Sequence, residues 1–482
     1  MKKYAVLFDR KNIPDNYPID DFLAVTVEKL KGAECEIYLV SERKVDGLTS
    51  IKPGTAHELL DFIAENCAGG IVLLMNAYCP LLDTLSLGEM IDEHTRLVFD
   101  FTYPENLPNG VLPEILTADV ARFIRETVPK NAPLPKNHIR DLFESDISSY
   151  DTNIYINPSR IIRYRVNFLP DSLNDYLITR GIMEKHGTGL GLSALEELIS
   201  KNPELIRKRP TFYEIELNGE REQAFFPDGG ADGEMSPSDL RKILASIRDF
   251  SHLPVVMFGL YGDPFLHSRF GDLLGVIREF PDLRFIFESR ALLTNFAPAR
   301  DALALPNIEL IFDISASQEK TFAAQKKPRN PILPQPSLET TVSEIKALVP
   351  SERVYVQFTR TGGNEDELMK FYDIWKDYGD RIIVKKPDTF GGKMNPLRVV
   401  DLSPIERHAC LHLKHDMAIR TDGTVQLCRQ DFHRAHTMGN ILTDGIEKCW
   451  AAMETPYHAH WKGDYNSPPL CAGCDEWWVF NF

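Results

Sequence analysis

Cysteine is scarce in this chain of 482 residues, and the cysteines are unevenly placed. Eight occur, and none lies between Cys79 and Cys410. So few thiols in so long a chain exclude a disulfide framework of the kind that holds small secreted domains together. A central region without cysteine also offers no thiolate ligands for an iron–sulfur cluster. We therefore expect a reduced, cytoplasmic protein whose thiol chemistry is confined to its C-terminal end.

Long apolar runs and an excess of positive charge are missing as well. No window approaches the ~20 apolar residues of a membrane span, and the first apolar run ends at Phe8, too early for a signal-peptide core. Lys and Arg number 54 against 70 Asp and Glu, which gives a net charge of −16. This balance argues against nucleic acid or an anionic membrane as a partner, and we expect neither.

The N-terminal third alternates short apolar runs with segments of helical pattern. Such alternation predicts a doubly wound α/β sheet. A further strand is expected over 161–168, before a helix near 173–184. The other apolar runs cover 4–8, 36–40, 71–75 and 97–101, and the other helical segments cover 20–31 and 55–66.

The text AYCPLLD after one strand, and YRVNF before a helix, resembles cytidylyltransferase-type nucleotidyltransferases over residues 1–190. The resemblance implies a glycine-rich phosphate loop where this chain has Asp9-Arg10-Lys11-Asn12, and a metal-holding aspartate where it has Tyr78. Without glycines, backbone amides cannot approach a triphosphate. We therefore expect a nucleotidyltransferase-like domain without transferase activity, and a working transferase is the disfavoured alternative.

Polar and thiol side chains of this region have simpler interpretations than catalysis. Carboxylates at strand ends are candidate sites, but helix caps and turns explain them more simply. The thiols are flanked by apolar or small residues, which favours buried packing. The carboxylates are Asp9, Asp83 and Asp100, and the thiols are Cys35, Cys67 and Cys79.

After a helical linker at 191–210, residues 211–400 repeat a strand and a helix six times. Six such repeats favour a partial (β/α)6 barrel with its active face at the strand C-termini, and an open doubly wound sheet is the alternative. The expected strands are 212–217, 255–260, 284–288, 308–315, 354–358 and 382–385. The expected helices are 236–250, 269–280, 338–348 and 364–378.

Two stretches of this region, FYEIEL and MFGLYGDP, resemble the radical SAM fold, and VYVQFTRTGGNEDE resembles its fifth strand. Together with the C-terminal cysteines, they make the chain similar to the spiro-SPASM family over nearly its whole length. The resemblance implies that Gly262, Asp263 and Pro264 help to seat the amino group of S-adenosylmethionine.

One part of the radical SAM pattern is absent. Its three cysteines, spaced C-x3-C-x2-C, would fall at Gly219, Gln223 and Phe226. Reductive cleavage of S-adenosylmethionine needs an iron with an open position, held by thiolates on its neighbours. We therefore expect no radical chemistry and doubtful binding of S-adenosylmethionine. The barrel mouth would keep polar residues that either bind a ligand or cap strands and helices, namely Asp263, Glu288, Asp313, Ser315, Gln357 and Arg360.

The C-terminal part, 401–482, carries the strongest motif, C-x12-G-x4-C…C-x2-C. Its members are Cys410, Cys428, Cys471 and Cys474, with Gly423 in an Asp-Gly hairpin turn. Four thiolates suit zinc or a [4Fe–4S] cluster equally by ligand count. The spacing resembles a shortened SPASM domain, which implies a single [4Fe–4S] cluster, with zinc as the alternative. Further thiol and imidazole candidates, with packing as the simpler interpretation, are Cys449, His412, His415, His433 and His436.

These features predict a radical SAM/SPASM-type protein that has lost radical initiation and keeps one four-cysteine site. It would serve as a binding, scaffold or electron-relay protein toward a peptide or protein. The alternatives are an active radical SAM oxidoreductase that modifies a peptide, and a binding protein braced by zinc. The sequence indicates neither a substrate nor an oligomeric state.

Overall fold

The computed structural model describes residues 1–135, 139–142, 148–219, 226–227, 233–326, 336–395 and 397–479. The chain divides into an N-terminal unit, Met1–Lys208, and a C-terminal unit, Arg209–Phe482. The finer divisions predicted near residues 190 and 400 stay predictions. Among the described residues, no helix is long and apolar enough to cross a membrane.

The N-terminal unit is an α/β fold on a mixed sheet in the order β3-β2-β1-β4-β6-β5-β7. The strands are β1 (Lys2–Phe8), β2 (Cys35–Val40), β3 (Thr49–Ile51), β4 (Gly70–Asn76), β5 (Phe101–Glu105), β6 (Glu114–Thr117) and β7 (Thr152–Ile156). The helices are α1 (Asp20–Gly32), α2 (Ala56–Asn66), α3 (Thr84–Leu97), α4 (Ala121–Thr127), α5 (Leu173–His186) and α6 (Leu192–Lys201). Strands β3, β2, β1 and β4 run parallel, and β6 runs antiparallel to both of its neighbours.

Both faces of this sheet are buried. On β1, Ala5 and Leu7 belong to the core on one face, whereas Tyr4, Val6 and Phe8 belong to the core on the other. Strands covered on two faces are apolar throughout, which is why β1 and β4 appear in the sequence as continuous apolar runs.

Two of the predicted strands are wrong. Residues 97–101 were expected to form one, but α3 continues to Leu97 and ends at Val98, which adopts a left-handed conformation with φ of 58°. The true strand, β5, starts only at Phe101, which is buried, whereas Val98 is exposed.

The second error is the strand expected over 161–168. Residues Ile161–Tyr164 form a 3-10 helix, and Arg165 follows with a left-handed φ of 47°. The strand that pairs with β5 is β7, which precedes this segment. An apolar run by itself does not separate a strand from a helical turn, and the sheet position was already filled by β7.

The C-terminal unit contains the predicted six-strand barrel sheet with helices between the strands. Its strands are β8 (Phe212–Ile215), β9 (Val255–Phe258), β10 (Arg284–Ser289), β11 (Ile308–Asp313), β12 (Val354–Thr359), β13 (Ile382–Lys385), β14 (Asp416–Ile419), β15 (Thr424–Gln426) and β16 (Thr437–Asn440). Its helices are α7 (Pro237–Phe250), α8 (Phe270–Ile277), α9 (Ala297–Leu303), α10 (Glu319–Gln325), α11 (Leu338–Lys346), α12 (Leu368–Trp375), α13 (His412–His415), α14 (Ile446–Ala452) and α15 (Glu454–Trp461). Strands β8 to β13 are parallel and lie in chain order within the sheet.

The C-terminal cysteine region shares this sheet, because β14 pairs in parallel with β8. Strands β14 and β15 form the predicted antiparallel hairpin, with Gly423 at φ of 81° in its turn. A Cβ at Gly423 would press against the Leu442 side chain, so both the backbone angle and the space favour glycine. The hairpin therefore joins the cysteine region directly to the barrel.

The two faces of the barrel sheet differ in chemistry. The face toward the helices is apolar and carries residues such as Tyr213, Phe258 and Phe287. On the opposite face, here called the inner face, a small apolar cluster at one end of the strands contains Phe212, Ile286 and Ile311. Two residues further along five of the six strands, side chains on this same face are polar. This polar layer consists of Glu214, Glu288, Asp313, Gln357 and Lys385.

Candidate functional site

The four predicted ligand cysteines come together in the C-terminal unit. Each of the six pairs among their sulfur atoms is close enough to interact electrostatically. Cys410 and Cys471 are buried, and Cys428 and Cys474 are half-buried. We call Cys410, Cys428, Cys471 and Cys474 the four-thiol site.

The environment of this site raises the pKa of three of its thiols and so favours their protonated form. Burial, together with the neighbouring thiols, raises the pKa of Cys428 and Cys474, and raises the pKa of Cys471 to about 12. The Glu476 backbone N–H lies 3.4 Å from the Cys474 Sγ and donates to it, as donors around metal-bound thiolates do. Within the described ranges, no three His, Cys, Asp or Glu side chains form a ready single-ion site. By ligand number and type the four thiols suit a [4Fe–4S] cluster, and a single zinc ion would need them to lie closer together.

The other thiol and imidazole candidates of this region have different neighbours. Cys449 is buried in the main core of the unit, and its pKa is raised by burial and by Asp444 rather than by the four thiols. His412 is 2.5 Å from the Asp416 carboxylate. Burial lowers the pKa of His412, but Asp416 outweighs this effect and raises it to about 10. His412 is therefore already engaged as a cation.

Ion pairs tie the four-thiol site to the barrel interior. Arg429, which follows Cys428, donates to Glu214 at 2.7 Å and lies 3.5 Å from Asp388. Lys386, just after β13, pairs with Asp475 and Glu476, which follow Cys474. Two of the segments that carry the thiols are therefore anchored on barrel residues.

The polar layer of the inner face is neutralised by cations. Glu288 accepts from Arg290 at 3.2 Å, from Lys385 at 3.2 Å and from Gln357 at 2.9 Å. Burial alone raises the pKa of Glu288, but Lys385 and Arg290 outweigh it and the pKa falls well below its usual range. Asp313 is likewise held ionised, chiefly by Lys326 and Arg290.

The sequence reasoning did not predict these cations. It included Arg360 among the polar residues of the barrel mouth, but Arg360 pairs with the half-exposed Glu365. The cations that pair with these carboxylates are Arg290 and Lys326, which are buried, and Lys385, which is half-buried. Two of them lie at strand ends, Arg290 directly after β10 and Lys385 as the last residue of β13, and this position was the available signal.

The Gly-Asp-Pro turn is packed into the barrel. A Cβ at Gly262 would collide with the Asn218 carbonyl, so no other residue fits there. The Asp263 carboxylate accepts from the backbone N–H of Phe265 at 3.1 Å, from the Ser289 hydroxyl at 2.7 Å and from the Arg290 N–H at 2.9 Å. Three internal donors therefore occupy this carboxylate, and its predicted role toward S-adenosylmethionine stays a prediction.

The three positions aligned with the missing cysteines fall in and around a partly described loop. Gln223 lies outside the described residues, and Gly219 follows Asn218 at the end of the β8 segment. Phe226 is buried in an aromatic cluster with Tyr261, Phe390 and Phe432. The Arg290 guanidinium stacks over the Phe226 ring, 5.3 Å from its centre. The Phe226 ring, covered by the Arg290 guanidinium, therefore occupies the position aligned with the third missing cysteine.

In the N-terminal unit, a polar cluster forms where β1, β2 and β4 end. Arg43 donates to Asp9 at 2.7 Å, to Asp20 at 2.8 Å and to the Tyr78 hydroxyl at 2.8 Å. Tyr78 and Ser41 also donate to Asp9. Beside this cluster opens a cavity of about 740 Å³.

The other two strand-end carboxylates have structural partners. Asp83 is the N-cap of α3 and accepts from the Leu85 and Ser86 N–H groups. Asp100 accepts from the Asp151 N–H at 2.9 Å. Cys35, Cys67 and Cys79 are all buried.

Comparison with known families identifies the C-terminal region. Residues 410–475 match the SPASM family, described as an iron–sulfur cluster-binding domain. The match begins at Cys410 and includes Cys428, Cys471 and Cys474. The chain therefore carries a SPASM domain at its C-terminal end, as predicted.

A related sequence covers most of the chain. An uncharacterized protein of Treponema pallidum (strain Nichols) is 27% identical over 362 residues, which are 71% of this chain and 98% of that protein.

Solved structures resemble parts of the chain at a distance. Streptococcus suis SuiB bound to its precursor peptide SuiA is 14% identical, covers 70% of this chain and 82% of its own, and has a TM-score of 0.44. The enzyme anSMEcpe with bound AdoMet is 10% identical over 56% of this chain and 92% of its own, with a TM-score of 0.41. A cytidylyltransferase from Leptospira borgpetersenii is 18% identical over 43% of this chain and 97% of its own, with a TM-score of 0.35.

Proposed function

We propose that this protein is a radical SAM/SPASM-type binding, scaffold or electron-relay protein with one four-cysteine iron–sulfur site and no radical-initiating cluster. The partner class predicted from the family resemblance is a peptide or protein. The observation that carries the proposal is the burial of Phe226 among Tyr261, Phe390 and Phe432, at a position aligned with a cluster-binding cysteine. A phenyl ring supplies no ligand to iron.

The charges around Phe226 support the same conclusion. Arg290 covers the Phe226 ring and pairs with Glu288 and Asp313. Asp263 is satisfied by three internal donors. A buried polar group that already has its partners gains little from a new ligand, because the old hydrogen bonds must first be broken. The inner face is therefore stable without S-adenosylmethionine.

The proposed metal group is a [4Fe–4S] cluster held by Cys410, Cys428, Cys471 and Cys474. The SPASM match supports iron–sulfur chemistry at these residues. A cluster with four thiolate ligands has no open iron, so it would transfer electrons or brace the fold. Arg429 and Lys386 would link such a site to the barrel.

Anaerobic purification followed by iron, zinc and sulfide analysis tests the metal part of the proposal. We expect about four irons and four sulfides per chain. One zinc with no sulfide would establish the zinc alternative. About eight irons would contradict a single cluster.

Incubation of the same protein with dithionite and S-adenosylmethionine tests the loss of radical initiation. We expect no 5′-deoxyadenosine, measured by chromatography and mass spectrometry, because the loop and barrel lack the three thiolates that would hold the reactive iron. Formation of 5′-deoxyadenosine above the level of a heat-inactivated sample would overturn the proposal and favour an active radical SAM oxidoreductase.

A further inference from the structure

We propose that the N-terminal cleft, the cavity lined by Asp9, Arg10, Tyr17, Arg43, Tyr78 and Asp171, binds a small molecule without a metal ion. The molecule carries one carboxylate and several hydrogen-bond donors, either hydroxyl or ammonium groups. This site is separate from the four-thiol site and does not depend on the function proposed above.

The cleft lies where open α/β sheets bind ligands. Strand β1 pairs with β2 on one side and with β4 on the other, so the connection reverses direction between β1 and β4. Crevices beyond the carboxyl ends of strands at such a reversal are the usual ligand sites of these sheets. Asp9 directly follows β1, and Tyr78 lies two residues beyond β4, so both stand at this edge.

The polar cluster at this edge disfavours metal binding, because its buried carboxylate is already engaged. Asp9 receives donors from Ser41, Arg43 and Tyr78. Burial raises the pKa of Asp9, but these donors outweigh it and the pKa is lowered. A carboxylate already engaged by three donors, one of them a guanidinium, has little capacity left for Mg²⁺, which needs oxygen ligands free of positive neighbours. Asp9 is therefore unsuited to hold the metal ion of a metal-bound triphosphate.

One cation of the cleft is available for an anion. Lys11 pairs with Asp15, and Arg43 pairs with Asp9 and Asp20. Arg10 forms no ion pair with any residue that the structure describes, and its guanidinium lies 5.9 Å from the centre of the Phe8 ring. Burial lowers the pKa of Arg10, which marks a cation without a compensating charge. One guanidinium matches one carboxylate in bidentate geometry, but not the several charges of a triphosphate.

A carboxylate of the same cleft is available for donors. Asp171 accepts from the Asn167 amide at 2.8 Å and forms no ion pair within the described ranges. The segment before it is held beside the Arg10 loop, because the Asn12 N–H donates to the Pro170 carbonyl at 2.9 Å. Arg10 and Asp171 are farther apart than an ion pair. A ligand with a carboxylate at one end and hydroxyl or ammonium groups at the other satisfies both.

Isothermal titration calorimetry of the full-length protein in EDTA tests this site with two probes. Glucuronate carries one carboxylate with hydroxyl donors, and serine carries one carboxylate with an ammonium group. We expect saturable binding of one probe, which identifies the donor type. Arg10→Gln should weaken that binding by about tenfold or more. The control Arg125→Gln, which breaks an ion pair with Asp61 on α2 away from the cleft, should leave the affinity unchanged.

Three results would overturn the proposal. One is the absence of saturable binding by either probe at millimolar concentration. Another is binding of CTP with Mg²⁺ that EDTA abolishes, because this would make the cleft a metal-dependent nucleotide site. The third is unchanged affinity in Arg10→Gln, with circular dichroism showing the native fold. These results do not depend on the iron content or on the 5′-deoxyadenosine measurement. The ligand proposal for the cleft and the proposed function can therefore fail separately.

Discussion

The barrel interior and the four-thiol site belong to the same unit but handle buried charge in opposite ways. In the interior, Glu288 and Asp313 face Arg290, Lys326 and Lys385, and the cations keep their pKa values low. At the four-thiol site, burial and neighbouring thiols raise each other's pKa values. Glu288 and Asp313 thus have their countercharges, whereas the thiols become stable as thiolates only with a cation bound among them. This contrast is why we propose that the metal group of the C-terminal unit is held at the cysteines.

Removal of two of the four thiols should have the largest effect, and the quantity that changes is the bound metal. In the double variant Cys471→Ser, Cys474→Ser, we expect nearly all bound metal to be lost, because two thiolates do not hold a cluster or a structural zinc. Metal analysis and thermal unfolding measure the loss. Cys449→Ser is the matched control, since Cys449 is a buried thiol of the same region, and it should keep its metal. Equal metal content in the double variant and the wild type would show that the four-thiol site is assigned wrongly.

Removal of Arg429, the cation that links the cysteine region to the barrel, should have the second-largest effect. Arg429→Gln leaves the buried Glu214 without its ion-pair partner and removes one cation from the half-buried Asp388. A broken buried ion pair costs about 3–5 kcal/mol of unfolding free energy, because a charge stays uncompensated. Urea unfolding measures it. Arg434→Gln breaks a half-exposed pair with Asp422 and should cost less than about 1 kcal/mol. Similar decreases of the unfolding free energy in both variants would show that the Arg429 ion pairs do not stabilise the protein more than a surface pair does.

A variant of Phe226 tests whether the barrel interior is filled by its own aromatic side chains. Phe226→Ala opens the aromatic cluster and should lower the unfolding free energy by about 3 kcal/mol, the cost of a large cavity. The metal content should stay unchanged, because Phe226 contacts none of the four cysteines in that cluster. Little loss of stability would show that the loop does not pack on the barrel in solution, and would weaken the case against a ligand there.

The pH dependence of stability that His94 causes, outside the barrel interior, is the smallest expected effect. His94 in the N-terminal unit is buried against Thr102 and Thr117, and burial lowers its pKa from 6.5 to about 4. The unfolded chain then binds the proton more readily, so stability falls as the pH drops below 6.5. We expect a loss of roughly 2 kcal/mol between pH 6.5 and about pH 5.

His94→Gln should flatten this pH dependence in urea unfolding experiments, because glutamine does not titrate. Glu288 and Asp313 stay ionised throughout this range. Burial raises the pKa of Glu214 to about 7, so this carboxyl takes up a proton more readily in the folded protein and opposes the loss that His94 causes. If the variant keeps the full pH dependence, another group is responsible and the contrast between the two regions needs revision.

Much of the fold could be predicted from local pattern. The six barrel strands were expected within a few residues of their true bounds, and β13 was expected at its observed bounds. The errors at 97–101 and 161–168 arose because apolar runs were interpreted without knowing which strands already filled the sheet. Left-handed residues at Val98 and Arg165 ended the helical turns there, and non-glycine residues give no warning of this conformation.

The candidate sites were predictable to different degrees. The four cysteines could be found because thiolate ligands have few substitutes and their spacing is distinctive. The cations of the barrel interior could not, because Arg290, Lys326 and Lys385 lie far apart in sequence and resemble ordinary surface residues there. The same holds for the cleft cluster of Asp9, Arg43 and Tyr78.

The sequence by itself determined where thiol chemistry is located. With no cysteine between Cys79 and Cys410, the C-terminal motif was the one place with enough thiols for a four-thiolate group. The tertiary structure alone decided that Arg429 joins this motif to the barrel, and that Phe226 and Arg290 fill the inner face. The physical reason is that covalent spacing is written along the chain, whereas the pairing of buried charges depends on which strands lie side by side.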